Sequence, residues 1–420
     1  PFPGRSDRFM PLGSYVRFAR ANARLVSFGF LMAFSSSFGQ SFFIGVFGPS
    51  VQQDFGLSHT AWGTVYMIGT LASALLLPWS GKQIDRLNLR FYSLLVGLFL
   101  AFSCFFAASV LSPVMLVVAI FFLRQSGQGL TSHIAFTTMA RYFELGRGRA
   151  IAIATLGFST GEALLPIAAV LAISYVGWRW AYAGAGALML LVLLPLALHF
   201  LKGHGERHKS HVAAQKIAAA QEGAVRSWTR GEVLRDRRFW LLMPGFFAPS
   251  MLLTAMFLNH VYVAEAKGWS AEWITGNYIV YALITIVTSL VAGALVDRFG
   301  AIRLIVPMLV PTALGLVVIG WGEAPIWVVL YFILIGLGTG LSHTAVTAMW
   351  AELYGTAHLG AIKSLVASLG VFASALGPVV MGLLLDSGLS TGMICYIFAA
   401  ATLASIGSVR LALPHQSSRA

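Results

Sequence analysis

The chain has 420 residues, of which 58% are hydrophobic and only 10% charged, with a formal net charge of +13. A soluble domain carries about a quarter charged residues. The mean hydropathy of +0.79 leaves more apolar surface than one water-soluble core can hide, so lipid has to solvate most of it.

Taken in chain order, a basic lead-in covers 1–24 and holds Arg5, Arg8, Arg17, Arg20 and Arg24. Six apolar runs follow at 25–50, 60–80, 91–110, 113–140, 149–173 and 178–201. A polar, basic stretch at 202–238, with an amphipathic piece around 211–222, reads as a cytoplasmic linker. Six more runs lie at 239–264, 272–295, 302–320, 325–350, 361–385 and 389–411, and a short tail covers 412–420. About twenty apolar residues cross a bilayer as a helix. The expected fold class is therefore an all-α membrane protein, with twelve transmembrane helices in two six-helix bundles, 25–201 and 239–411.

With both termini placed in the cytoplasm, every one of the 28 basic residues except Arg124, Arg179 and Lys267 falls on the inner side, as the positive-inside rule requires. The excess charge is thus a topology signal and a contact for anionic lipid, which excludes a nucleic-acid partner. Cys104 and Cys395 lie inside apolar runs with no metal-ligand spacing and read as small core residues, so no metal and no cofactor is expected. Short loops and the lack of N-x-[ST] sites suit a bacterial inner membrane, and a monomer is expected.

A repeat appears at a spacing of about 212 residues. GKQIDRLNLR holds Gly81, Asp85, Arg86 and Arg90; GALVDRFGAIR holds Gly293, Asp297, Arg298, Gly300 and Arg303. GQGLTSHIAFTTM (127–139) pairs with GTGLSHTAVTAM (338–349), FGLSHTAWG (55–63) with KGWSAEWITG (267–276), and Pro166 with Pro378. Two like halves related by an axis along the membrane normal leave a seam at midplane, which rocking opens to each side in turn.

These paired loops, the RQSGQG run of the fourth span and the six-plus-six layout resemble the major facilitator superfamily over essentially the whole chain. FWLLMPGFF…LNHVY…GWS (239–270) and IKSLVASLGVFASALGPVVMGLLLD (362–386) are similar to its monocarboxylate and oxalate:formate porter branch. The resemblance implies a gating role for Asp85, Arg86, Asp297 and Arg298. Charge pairs at helix ends hold one conformation and break when the halves move.

Arg124 stands near mid-depth of the fourth span, where an unpaired charge costs roughly 2.5–3.5 kcal/mol. Gln128 lies one turn further on, so the two can present donors to a carboxylate; equally, Arg124 can pair with Glu162. Glu162 is the sole acidic residue deep in a span. It either neutralises Arg124 or exchanges a proton with an aqueous cavity. Gln40 in the first span, Asn259 and His260 in the seventh, and Tyr281 in the eighth are further solute-binding candidates. His260 is nearer the outer end of its span, where it can line an extracellular vestibule. His133 and His343, in repeat-related Ser-His dipeptides, read as helix-packing hydrogen bonds, and Lys363 as a snorkelling interfacial residue.

Gly157 to Gly161 match G-x-S-x-G, but a hydrolase elbow follows a strand, and here a membrane helix surrounds it; no catalytic residue and no enzyme activity is expected. Nor is there a P-loop to bind ATP. The expected function is secondary transport of a small organic anion by proton-coupled symport, with the solute and protons as partners. Proton-driven efflux of cationic or amphipathic solutes is the alternative, and a non-transporting sensor a remote one.

Overall fold

The computed structural model describes residues 12–143, 146–202, 230–355 and 359–412. The side chains of a few helical positions, Asp85 and Lys363 among them, lie outside the described residues. So do most of the linker, 203–229, and of the tail. No strand occurs among the described residues.

Ten helical runs among the described residues are long and apolar enough to cross a membrane, and a bent pair, Ala23–Gly39 with Ser41–Phe55, makes an eleventh. One run, Arg147–Phe200, has 54 residues. At 1.5 Å per residue it would measure about 80 Å, far more than a bilayer's thickness. It breaks at Gly177, whose φ of 81° and ψ of 163° suit a residue without a Cβ. The fifth span precedes this break and the sixth follows it, which brings the total to twelve. The rest are His59–Gly81, Leu89–Ala108, Pro113–Tyr142, Arg237–Ala266, Ala271–Phe299, Ala301–Trp321, Trp327–Tyr354, Leu365–Asp386 and Thr391–Ala412.

Local chemistry starts many of these helices. Ser58, Asn88, Ser112, Asp236 and Ser270 each accept a backbone N–H of the first turn, a cap worth about 1 kcal/mol. Large apolar side chains such as Leu75, Trp79, Trp180, Leu191 and Leu411 remain exposed. In water they would be a liability; on a membrane span they are the lipid-facing surface.

Contacts repeat between the halves. The third span packs on the sixth as the ninth does on the twelfth, and the second on the fourth as the eighth does on the tenth. Across the seam, the second span meets the eleventh, and the run holding the fifth meets the eighth. Exchanging the halves maps each contact onto its partner, as a twofold pseudo-symmetric pair of six-helix bundles requires.

The cores reveal the shape. One buried cluster runs through both halves, from Phe42 and Tyr66 to Met256, Phe332 and Phe398, at the end away from the basic loops. At the basic end there are two separate clusters. One lies in the first half around Phe28, Ile134 and Ala154, the other in the second around Phe239, Met308 and Trp350. The halves are therefore fused at one end and parted at the other.

Candidate functional site

A cavity of about 330 Å³ lies between the halves. Gln40, Ser41 and Phe42 of the first span and Thr155, Phe158, Ser159 and Glu162 of the fifth form the wall from the first half. The second half contributes mainly Ser250, Thr254 and Phe257 of the seventh span, Tyr281 and Thr285 of the eighth, Thr312 of the ninth, and Thr339, Ser342 and His343 of the tenth. Hydroxyls dominate its polar surface, and no lysine or arginine stands among the described lining residues.

Gln40 reaches the wall because the first span breaks there. Ser36–Gly39 form a 3-10 turn, Gln40 is extended (φ −87°, ψ 154°), and the helix restarts at Ser41 after a 47° bend. The fourth span is irregular at the same depth, where Arg124–Thr131 is π-helical. The two irregular stretches touch backbone to backbone. A Cβ on Gly39 would stand 2.1 Å from the Leu123 carbonyl oxygen, and one on Gly127 2.6 Å from the Gly39 nitrogen. Irregular backbone at membrane depth is tolerated only inside protein or beside a cavity, with its polar groups satisfied there. Arg124 meets that need, as its Nη1 donates to the Gly39 carbonyl at 3.0 Å. Its guanidinium also lies 5.4 Å from the Tyr66 ring centroid.

Arg124 is buried and does not line the cavity, and neither does Gln128, whose backbone packs on Gly39. Nor does Arg124 pair with Glu162: the one ion pair among the described residues joins Arg179 to Asp54. The residues between them fasten the fourth span to its neighbours. Gln125 accepts from Ser73 (3.0 Å) and donates to Ser80 (2.7 Å), and Ser126 bonds Ser103 (3.0 Å).

Glu162 is 6% exposed and makes no hydrogen bond among the described residues. It comes beside Gln40 because Gly157 and Gly161 let the fifth span lie directly on the first; a Cβ at Gly157 would be 2.1 Å from the Phe30 carbonyl oxygen. The Tyr281 side chain of the second half lines the same cavity.

Asn259 and His260 are buried away from the wall. The Asn259 amide donates to its own helix at Ala255 (2.8 Å). His260 does not line a vestibule, because its two ring nitrogens bond the Tyr278 and Tyr331 hydroxyls at 2.8 Å each, with Phe257 and Phe332 against the ring. His343, expected to pack helices, stands exposed on the cavity wall. His133 contacts Thr137 at 3.4 Å on its own helix.

Of the four gating candidates, the side chain of Asp85 lies outside the described residues. Arg86, Asp297 and Arg298 are exposed, with Arg298 over the Phe299 ring, and none of the three joins an ion pair among the described residues. Closure is at the opposite end. There Asp386 of the eleventh span accepts the His59 and Thr60 N–H groups of the second at 3.1 and 2.9 Å, and His59 packs on Tyr262. These hydrogen bonds join the two halves.

Sequence reasoning missed the hydroxyl wall, His343 and Asp386. Serine and threonine in a span serve helix packing as often as solute contact, and only the assembled bundle tells the two apart.

The sequence profile described as Major Facilitator Superfamily matches residues 29–279 and 262–419. The chain is 23% identical over 232 residues to an oxalate:formate antiporter of Oxalobacter formigenes, which covers 55% of this chain and 53% of that protein. It thus spans about half the length of that curated relative. A crystal structure of the nucleoside transporter NupG superposes with a TM-score of 0.71 at 14% identity, covering 94% of this chain and 99% of that one. A point mutant of the same transporter gives 0.70 at 12% identity, with 93% and 100% covered. At such identities these two show the fold alone. The profile covers nearly the whole chain, the twelve spans form two like bundles, and a cavity with polar side chains in a largely apolar wall lies on their seam: the chain belongs to the Major Facilitator Superfamily, as an integral membrane transporter and not an enzyme.

Proposed function

We propose that this transporter moves a small organic acid by alternating access, with Glu162 taking up a proton as the solute binds. The observation that carries the reading is Glu162 on the wall of a cavity with no arginine or lysine among its described lining residues. A volume of about 330 Å³ is at the lower end of ligand pockets, which favours a small solute. An ionised Glu162 repels a carboxylate at such range; a protonated one does not, and can donate a hydrogen bond to it. Binding of the anion and of the proton therefore reinforce each other, which is the thermodynamic requirement of symport. The similarity to an oxalate:formate antiporter supports a carboxylate solute. Exchange of one carboxylate for another needs no net proton movement at the same site.

We place the two rocking units at 25–201 and 239–411, and the basic end in the cytoplasm. The parted cores at that end then correspond to an inward-open state, in which the exposed Arg86, Asp297 and Arg298 have let go of the contacts that close the inner side.

The test uses proteoliposomes and a panel of formate, acetate, lactate and oxalate. Glu162→Gln leaves exchange intact and abolishes accumulation driven by a pH gradient. The sign of the pH effect is fixed: anion affinity of the natural protein falls as pH rises and Glu162 ionises. Accumulation by Glu162→Gln at the natural level would falsify the coupling role.

A second reading draws on Phe42, Phe158, Phe246 and Phe257, which give the cavity aromatic faces around one acid. Such a site also suits an amphipathic cation expelled in exchange for a proton. The opposite sign of pH dependence identifies it, since cation affinity rises as Glu162 ionises.

A further inference from the structure

We infer that His343 is the cavity's cationic contact for the solute: protonated, its imidazolium pairs with the carboxylate that a neutral Glu162 no longer repels. The inference rests on the carboxylate reading above and adds the group that recognises the anion.

Three observations carry it. His343 is exposed on the cavity wall and makes no hydrogen bond among the described residues, so its ring is free to meet a ligand. Of the described lining residues it alone can carry a positive charge, since Arg124 lies behind the wall with its Nη1 on the Gly39 carbonyl. And it stands on the second half, whereas Glu162 stands on the first. A solute held by both spans the seam, so binding is sensitive to the relative position of the halves, as a carrier needs.

The surroundings suit a carboxylate. Thr339 and Ser342 on the same span and Thr312 on the ninth place hydroxyl donors on this wall. The other titratable groups facing the cavity are Glu162 of the fifth span and Tyr281 of the eighth. The first, seventh and ninth spans present none there, and the eleventh carries Lys363, whose side chain lies outside the described residues. Histidine is the side chain whose ordinary charge change lies nearest neutral pH, a carboxylate bound beside it favours the imidazolium, and an imidazolium–carboxylate hydrogen bond is of the strong, charge-assisted kind. Two protons thus take the Glu162–His343 pair from −1 through neutral to +1, and each step favours a monoanion. The sequence repeat does not duplicate the site, because His133 sits beside Gly81 at the basic end of the second span.

The test measures the apparent Kd of radiolabelled lactate for the full chain in lipid nanodiscs from about pH 5 to 8. His343→Gln should weaken binding about tenfold near pH 5.5 and change it little at pH 8. His343→Lys should keep the acid-pH affinity and extend it to pH 8. Glu162→Gln should retain one histidine-like titration, a measurement that stands even if a His343 variant folds poorly, and the Glu162→Gln/His343→Gln double variant should remove it. Unchanged affinity in His343→Gln near pH 5.5, or a flat profile in Glu162→Gln, overturns the role of His343. Should the natural protein bind none of lactate, acetate and oxalate, the carboxylate reading falls with it. Should it bind them and lose gradient-driven accumulation only in Glu162→Gln, His343 alone is excluded.

Discussion

The two halves share a repeat but treat their cavity-facing spans differently. In the first half the first span is bent by 47° at an extended Gln40 and the fourth is π-helical over Arg124–Thr131. In the second half the corresponding Arg237–Ala266 and Trp327–Tyr354 run without a break, despite Pro244 and Pro249. The first half thus invests its polar groups in its own irregular backbone and leaves Glu162 and Gln40 for the cavity. The second half keeps regular helices, encloses His260 among tyrosines and phenylalanines, and turns His343 with several hydroxyls to the cavity. Duplication preserved the packing, and divergence divided the chemistry.

The sharpest way to break this contrast is to force a side chain between the irregular segments. Gly39→Val should cost at least about 3 kcal/mol, beyond ordinary overpacking, because the obstruction is the Leu123 carbonyl oxygen and not a movable side chain. Loss of the monodisperse peak in detergent reports it. Gly370→Ala, on the smoother eleventh span, should be neutral, since its Cβ would meet only Ser250 Oγ at 4.0 Å.

Next in size is Arg124→Met. The orphaned Gly39 carbonyl costs about 1–3 kcal/mol, but removing a membrane-buried charge regains a similar amount. The melting temperature should therefore move by only a few degrees, while transport falls on the order of tenfold, the equivalent of one such hydrogen bond lost from the geometry of Gln40. A variant that transports normally would show that the broken span holds its shape without Arg124.

The smallest effect is expected at the far end. Asp386→Asn loses charge-assisted capping of the second span and should raise the population open at that end about fivefold, for roughly 1 kcal/mol. Labelling of Leu258→Cys by an impermeant maleimide reads this out, because Leu258 is buried where the first and seventh spans meet. An unchanged labelling rate would remove Asp386 from the closure.

Much of this was legible before any coordinates. Apolar run length located all twelve spans, whereas the helices alone show fewer unbroken runs, because the first span bends at Gln40 and the fifth and sixth join as one run kinked at Gly177. Depth was legible too: Arg124, Glu162 and Gln40 do lie near the middle of their spans. Azimuth was not. One residue rotates a helical position by about 100°, and a π-helical stretch inserts such a shift, so the phase of Arg124 relative to the cavity did not follow from spacing. His343 and His133 occupy matched places in the repeat, yet one faces the cavity and the other does not.

The amino-acid sequence by itself determined that lipid is the solvent, that two six-span halves repeat, and that charge crowds one end, because these follow from local hydrophobicity and from like segments in the same order. Only the tertiary structure decided which polar groups meet across the seam, which end is shut and what Arg124 holds. Those outcomes depend on helix rotation and on backbone contacts between distant spans, neither of which any local pattern encodes.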